Sequence, residues 1–258
     1  MEAFAAAFAA LGGLAFGSFL GVVVHRVPLK ESIVAPRSRC PNCGHQLSAA
    51  DNIPVFSWLI LRGRCRYCHA PISPRYPMGE ALIAALWALA VVRLDARPWD
   101  LLAFLPFLWV LVALSLIDLG TKLLPNRIVY PSVVVGIVLL AITAALGPGL
   151  DAWIRALLGM VAGAGGFFVI ALISPAGMGM GDVKLAGLIG LYLGYLSWGR
   201  VFLGFFLAFL IGAVSGIALM IAGKAGRKTQ VPFGPFMALG AVMATLYGGP
   251  LLDLWQGR

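Results

Sequence analysis

The sequence predicts an all-α polytopic membrane protein of about eight transmembrane helices carrying a small cysteine-rich loop domain. Three observations predict it. The chain of 258 residues is 61% hydrophobic and only 11% charged, with a mean hydropathy of +0.95. A soluble domain of this size carries about twice that share of charge. Its apolar runs reach the roughly 17–25 residues that span a bilayer as a helix. These runs are continuously apolar and do not alternate, which excludes a transmembrane barrel.

The runs lie at about 2–24, 79–95, 99–117, 127–147, 152–174, 183–198, 200–222 and 232–250. The sixth is the shortest. The first lacks the basic flank that precedes a secretory signal, and its positive charges follow the apolar run. It reads as a retained helix with its N-terminus outside. The inner segments are then 25–78, 118–127, 174–184 and 223–231. Of 19 Lys and Arg residues, only Arg93, Arg97, Arg155, Arg200 and Arg258 fall elsewhere, leaving 14 inside. That asymmetry fits the positive-inside rule. The net charge of +9 therefore reads as topogenic charge and contact with anionic membrane lipid, and it calls for no nucleic acid. Glycines four apart (17/21, 159/163, 190/194, 212/216) read as close helix packing. The domain reading is a first helix over 1–24, a cytoplasmic cysteine segment over 25–78 and a membrane domain over 79–258.

Residues 25–78 hold all four cysteines and all three histidines. Cys40-Pro-Asn-Cys43 is followed, after 21 residues, by Cys65-Arg-Tyr-Cys68. Two such knuckles offer four thiolates to one tetrahedral ion, so Cys40, Cys43, Cys65 and Cys68 read as a structural zinc site. A cytoplasmic setting keeps thiols reduced and argues against disulfides, and no βαβ context supports a redox pair. Metal would also stabilise a segment too small for its own core. His45 and His69 flank the knuckles, where they could substitute as ligands but read rather as solvated or supporting groups, and His25 is interfacial. Trp58 reads as packing or, less simply, as a substrate contact. Glu80 begins the second span, where an acid complements the helix dipole; its depth also makes it a secondary site candidate.

Two acids stand out in the apolar remainder. Asp118 and Asp182 fall at the inner ends of different helices, and a carboxylate there is costly to desolvate. A pair can share one proton and activate a water, the ionised member accepting a proton and the protonated one polarising a carbonyl. Capping of the two helices is the competing structural role. Gly177, Gly179 and Gly181 alternate before Asp182 and favour an irregular, approachable backbone, tolerable at membrane depth only where it is buried or lines a wet cavity. Pro125 ends the helix after Asp118. Lys184 either biases the acids toward ionisation or snorkels to the interface. No His-Glu-x-x-His or Gly-x-Ser-x-Gly occurs, which excludes those protease and hydrolase chemistries.

Together these elements resemble the bacterial prepilin peptidases, also called type IV leader peptidases. The likeness runs through Gly17-Ser-Phe-Leu-Gly-Val-Val-Val-His-Arg-Val-Pro28, Arg37-Ser-Arg-Cys-Pro-Asn-Cys43, Asp51-Asn-Ile-Pro54 and Arg62-Gly-Arg-Cys-Arg-Tyr-Cys68. It continues through Ile72-Ser-Pro-Arg-Tyr-Pro77, Glu80, Ile117-Asp118, Leu123-Leu-Pro125, Gly179-Met-Gly-Asp182-Val-Lys-Leu185 and Pro232-Phe-Gly-Pro-Phe236. The resemblance implies a membrane aspartyl protease with Asp118 and Asp182 as its catalytic pair. It implies prepilin and pseudopilin substrates cleaved at the cytoplasmic face of the bacterial inner membrane. It also implies methylation of the new N-terminus from S-adenosylmethionine, linked to the cysteine segment. Asn126 stands where many relatives carry an acid. Competing readings are a proton-coupled transporter using the same acids, and a noncatalytic zinc-stabilised assembly factor for a pilus or secretion system.

Overall fold

The computed structural model describes residues 2–94, 98–174, 177–223 and 231–255. Arg97, Lys224, Arg227, Lys228 and Arg258 of the charge pattern lie outside them. The described residues form helices, joined by short turns except for the long cysteine-bearing segment between the first and second long helices, with no strand beyond two isolated antiparallel bridges. The chain divides into two compact units, Met1–Val92 and Arg93–Arg258.

The first unit contains α1 (Glu2–Arg26), the short α2 (Phe56–Ile60) and α3 (Arg75–Arg93). A glycine stripe at i, i+4 and i+8 on α1 packs antiparallel on α3. A Cβ on Gly13 would meet the Ala84 Cα at 2.7 Å, one on Gly17 the Glu80 Cα at 2.5 Å, and one on Gly21 the Tyr76 ring at 3.0 Å. Each step of four up α1 is a step of four down α3. Small residues let the backbones approach this closely, which is how helices associate where apolar burial gives little preference over lipid. The helix α3 begins four residues before the expected span, because Pro77 falls in its first turn, where a missing N–H costs nothing.

The second unit contains α4 (Pro98–Thr121), α5 (Asn126–Leu146), α6 (Leu150–Ile173), α7 (Met180–Leu196), α8 (Trp198–Ile221) and α9 (Gly234–Trp255). Pro125 precedes α5 in extended backbone, so the helix break after Asp118 falls where the sequence puts it. Gly149, at φ +85°, turns the chain into α6, a conformation that favours glycine. Ser197 alone separates α7 from α8, and its hydroxyl caps the latter by accepting from the Arg200 amide at 3.2 Å.

Among the described residues, seven helices of 18 or more residues are apolar enough to cross a membrane: α1, α3, α4, α5, α6, α8 and α9. The helix corresponding to the sixth expected span, α7, has 17 residues, at the short end of the roughly 17–25 that cross a bilayer. It is also the centre of the second unit, buried from Val183 through Tyr195 with Lys184 alone half-buried. Glycines again set the approach. Gly190 and Gly194 of α7 meet Gly159 of α6, and Gly163 meets Ala186. Gly212 lies against Phe233, whereas Gly216 faces open space and owes nothing to packing. The Arg155 guanidinium donates to the carbonyls of Gly194 (2.7 Å), Tyr195 (2.6 Å) and Leu196 (3.3 Å), satisfying the C-terminal end of α7 with a positive charge. On its flank, Tyr192 stacks on Phe107 of α4 at 4.0 Å, and the Tyr195 hydroxyl donates to the buried Asp100 at 3.0 Å.

Candidate active site and cysteine cluster

Three helix ends of the second unit meet around two acids. Asp118 lies in the last turn of α4 and is 5% exposed. Its Oδ2 accepts from the Gly234 amide at the start of α9, at 3.0 Å. Asp118 therefore does not cap its own helix; its partner is 116 residues away. Asp182 lies in the first turn of α7, half-buried, and its Oδ2 accepts from the Gly179 amide at 3.1 Å. This is one half of a capping box, since Gly179 has no side chain to return the bond. Capping and a chemical role thus coexist at Asp182. The two carboxylates are near enough for the charge of Asp118 to act on Asp182. Among the described residues, Oδ1 of each accepts no hydrogen bond from the protein.

The flanking residues close the site. Residues 177–179 are non-helical, and α7 starts at Met180, so the glycine run gives irregular backbone only up to Gly179. Gly181 is already helical, and its role is contact: a Cβ there would meet the Leu124 Cβ at 3.1 Å. Gly234 is tighter still. A Cβ there would lie 2.7 Å from Asp118 Oδ2 and 3.3 Å from its Cγ. The motif Pro232-Phe-Gly-Pro-Phe236 was visible in the sequence, but nothing local to it pointed to Asp118. Lys184 does not pair with either acid. Its ammonium donates to Asn126 Oδ1 at 2.9 Å and lies 5.3 Å from the Tyr130 ring centre, which ties α7 to the start of α5.

Glu80 belongs to the first unit, and its described partners do too. Its Oε2 accepts from the Val55 amide at 2.6 Å, and Ser18 also hydrogen-bonds it. Val55 has φ +61°, a strained conformation for a β-branched residue, and Glu80 holds its amide there.

The four cysteine sulfurs lie within 4.8 Å of one another. Cys40 Sγ and Cys68 Sγ are 3.7 Å apart, far beyond a disulfide bond of about 2.05 Å and close to the roughly 3.8 Å edge of a tetrahedron with 2.3 Å metal–sulfur bonds. The knuckles are built alike. The Cys40 amide donates to the His45 carbonyl and the Cys65 amide to the Ala70 carbonyl, both at 2.9 Å. The fourth residue after each leading cysteine, Gly44 or His69, takes positive φ. The histidines stay outside the cluster; His45 instead packs on Tyr67 of the other knuckle, ring centres 3.5 Å apart. The Ala70 amide and the Asn42 side chain hold the Cys68 thiol down at about 6. Asp51 ties the intervening segment to the second knuckle. It accepts from the Ser48 hydroxyl at 2.7 Å and pairs with Arg66 at 2.7 Å, and these two partners hold its carboxyl below the usual range. Trp58 donates to the Ile72 carbonyl at 3.0 Å and packs against Gly63, which is the packing role.

Comparison with known proteins covers both units. Residues 11–94 match the Bacterial Peptidase A24 N-terminal domain and residues 105–217 match the Type IV leader peptidase family. The chain is similar to a protein named prepilin leader peptidase/N-methyltransferase from Aeromonas hydrophila, 37% identical across 92% of this chain and 89% of the relative. Its counterpart of the same name in Bacillus subtilis (strain 168) is 36% identical across 94% of both. That of Myxococcus xanthus (strain DK1622) is 41% identical across 95% of this chain and 72% of the relative. No solved structure matches.

Proposed function

Because the chain belongs to the type IV leader peptidase family, we propose that it is a prepilin peptidase of the bacterial inner membrane that also N-methylates its product. The substrates are prepilins and pseudopilins, whose basic leader is removed from a hydrophobic stem. Asp118 and Asp182 carry the cleavage. The observation that bears most weight is their arrangement: each acid is anchored through Oδ2 to one backbone amide, and each leaves Oδ1 open. Two carboxylates that share a site hold one proton between them. The ionised carboxylate takes a proton from a water as the water oxygen attacks the scissile carbonyl carbon. The protonated one hydrogen-bonds the carbonyl oxygen. As the tetrahedral intermediate collapses, the C–N bond breaks and a proton passes to the leaving amine. The non-helical backbone up to Gly179, with Gly181 packed against Leu124, is where an extended substrate would lie. Lys184 and Asn126 fix α7 to α5 beside it.

The four cysteines fit a zinc ion in donor type and spacing, and bound zinc would fix the fold of the first unit's loop segment. S-adenosylmethionine is the methyl donor. The charge distribution supports a cytoplasmic side for the cysteine segment and for both aspartates. That is the depth at which a pilin's leader meets its stem.

The test is cleavage of a prepilin in membranes carrying Asp118→Asn or Asp182→Asn. Loss in both supports the pair, and full activity in either removes that residue from it. Labelled methyl transfer from S-adenosylmethionine to the cleaved pilin tests the second activity, with no incorporation counting against it. A transporter reading would require solute flux in the Asn variants, and nothing in the site favours it.

A further inference from the structure

The first unit holds a cavity of about 410 Å3 between the end of α1 and the chain that enters the first knuckle. Its volume falls in the range of small-ligand sites. One part of its wall is apolar, from Val22, Ile33, Val34 and Leu47; another is cationic, from Arg26 and Arg37. No Asp or Glu is among the residues that line it. Arg26 is rigid: its two terminal nitrogens donate to the Ser32 carbonyl at 2.9 Å and the Pro36 carbonyl at 2.8 Å. Carbonyls orient a guanidinium but leave its charge uncancelled. Arg37 is exposed, and its side chain makes no hydrogen bond or ion pair among the described residues.

The place of the cavity narrows the ligand. Val22 sits one turn before Arg26 in a helix long and apolar enough to cross a membrane. The cavity therefore straddles the depth where hydrocarbon gives way to headgroups. Its outer rim carries Val34 at 84% exposure and Ile33 at 40%, apolar side chains beside the basic ones. With Leu29, 57% exposed on the same loop, such a rim gains by dipping into the interface. A cationic ligand, or one with an ammonium to place, finds no carboxylate here.

We propose that this cavity binds one anionic phospholipid, its phosphate between Arg26 and Arg37 and the root of its acyl chains against Val22, Ile33 and Val34. The lipid anchors the loop that leads into Cys40 to the membrane surface. The proposal stands on the first unit alone and does not depend on the aspartates.

The full chain, purified in a mild nonionic detergent, is titrated with phosphatidylglycerol or phosphatidylcholine, and bound lipid is counted by native mass spectrometry. One phosphatidylglycerol is expected to be retained in preference to phosphatidylcholine. Arg37→Glu should weaken it by at least about fivefold, the effect of one basic side chain on an anionic lipid surface. Because the Arg37 side chain makes no internal bonds, this variant should fold; Arg37→Lys should keep most of the binding and controls for shape. Arg62→Glu, an exposed charge of the same segment outside the cavity, should bind as the parent does. Equal retention of both lipids overturns the proposal, as does equal loss in Arg62→Glu. Displacement of the lipid by inorganic phosphate would make this a plain anion site, and displacement by S-adenosylmethionine would give the cavity to the methyl donor; either result overturns it.

Discussion

Gly234→Ala should separate activity from stability. Gly234 is the first residue of α9, and its amide donates to Asp118 Oδ2 at 3.0 Å. An added Cβ would lie 2.7 Å from that oxygen, 3.3 Å from Cγ and 3.5 Å from Cβ of Asp118, so the carboxylate must move or the helix start must retreat. Either shift lengthens the amide–carboxylate bond. A hydrogen bond to a charged group contributes about 1.5–3 kcal/mol, and at about 1.36 kcal/mol per decade its loss from the transition state lowers kcat about 10- to 150-fold. Stability should respond differently, because alanine is favoured over glycine in a helix by up to about 1 kcal/mol, which offsets part of the contact strain. The assay is prepilin cleavage, kcat and KM measured separately, beside thermal unfolding in detergent. The expected result is a large fall in kcat, little change in KM and an unfolding midpoint within a few degrees of the parent. Unchanged kcat would refute the view that Gly234 is needed to seat Asp118. A collapse of the midpoint alongside kcat would refute the separation.

Asp118→Asn and Asp182→Asn should each lower cleavage by about 10²–10⁴-fold, the range for loss of a general acid or base, with methyl transfer to a pre-cleaved pilin retained; loss of methyl transfer too would indicate a misfolded chain. Lys184→Met removes the bond to Asn126 without touching either acid, so cleavage should fall by less than about tenfold while stability drops by about 1 kcal/mol; a fall as deep as in the Asp variants would place Lys184 in the chemistry. Gly17→Leu drives a side chain into the α3 backbone at Glu80 and should destabilise by about 1–3 kcal/mol or more, read as a lowered unfolding midpoint; Gly216→Leu, facing open space, should not. Cys40→Ser should lower bound zinc, measured by elemental analysis, and weaken protease resistance of the loop; retention of a full equivalent would refute four-sulfur ligation.

What was legible in the sequence followed from local pattern. Long apolar runs form helices because a bilayer offers no partner for free backbone groups, so helix number and order could be read directly. The two knuckles predicted their own cluster, since a Cys-x-x-Cys pair brings its sulfurs to one ion whatever the rest of the chain does. The acids were visible by their cost in an apolar setting. Pro125 marked its helix boundary through a purely local restriction of the backbone.

The rest was decided by packing between elements. The shortest apolar run, read as one more span, is also the buried axis of the second unit, because Gly159, Gly190 and Gly194 let α6 and α7 touch backbone to backbone. Lys184, two residues from Asp182, turned to Asn126, and Asp118 took its amide from a glycine 116 residues away. Glu80 went to the strained amide of Val55. None of these pairings has a sequence signal at fixed spacing, since helix register and rotation are set by which small residues let which backbones approach. By itself, the sequence determined a helical membrane chain with a four-sulfur cluster and two costly carboxylates. Only the tertiary structure brought those carboxylates to one site, because that depends on three helix ends meeting.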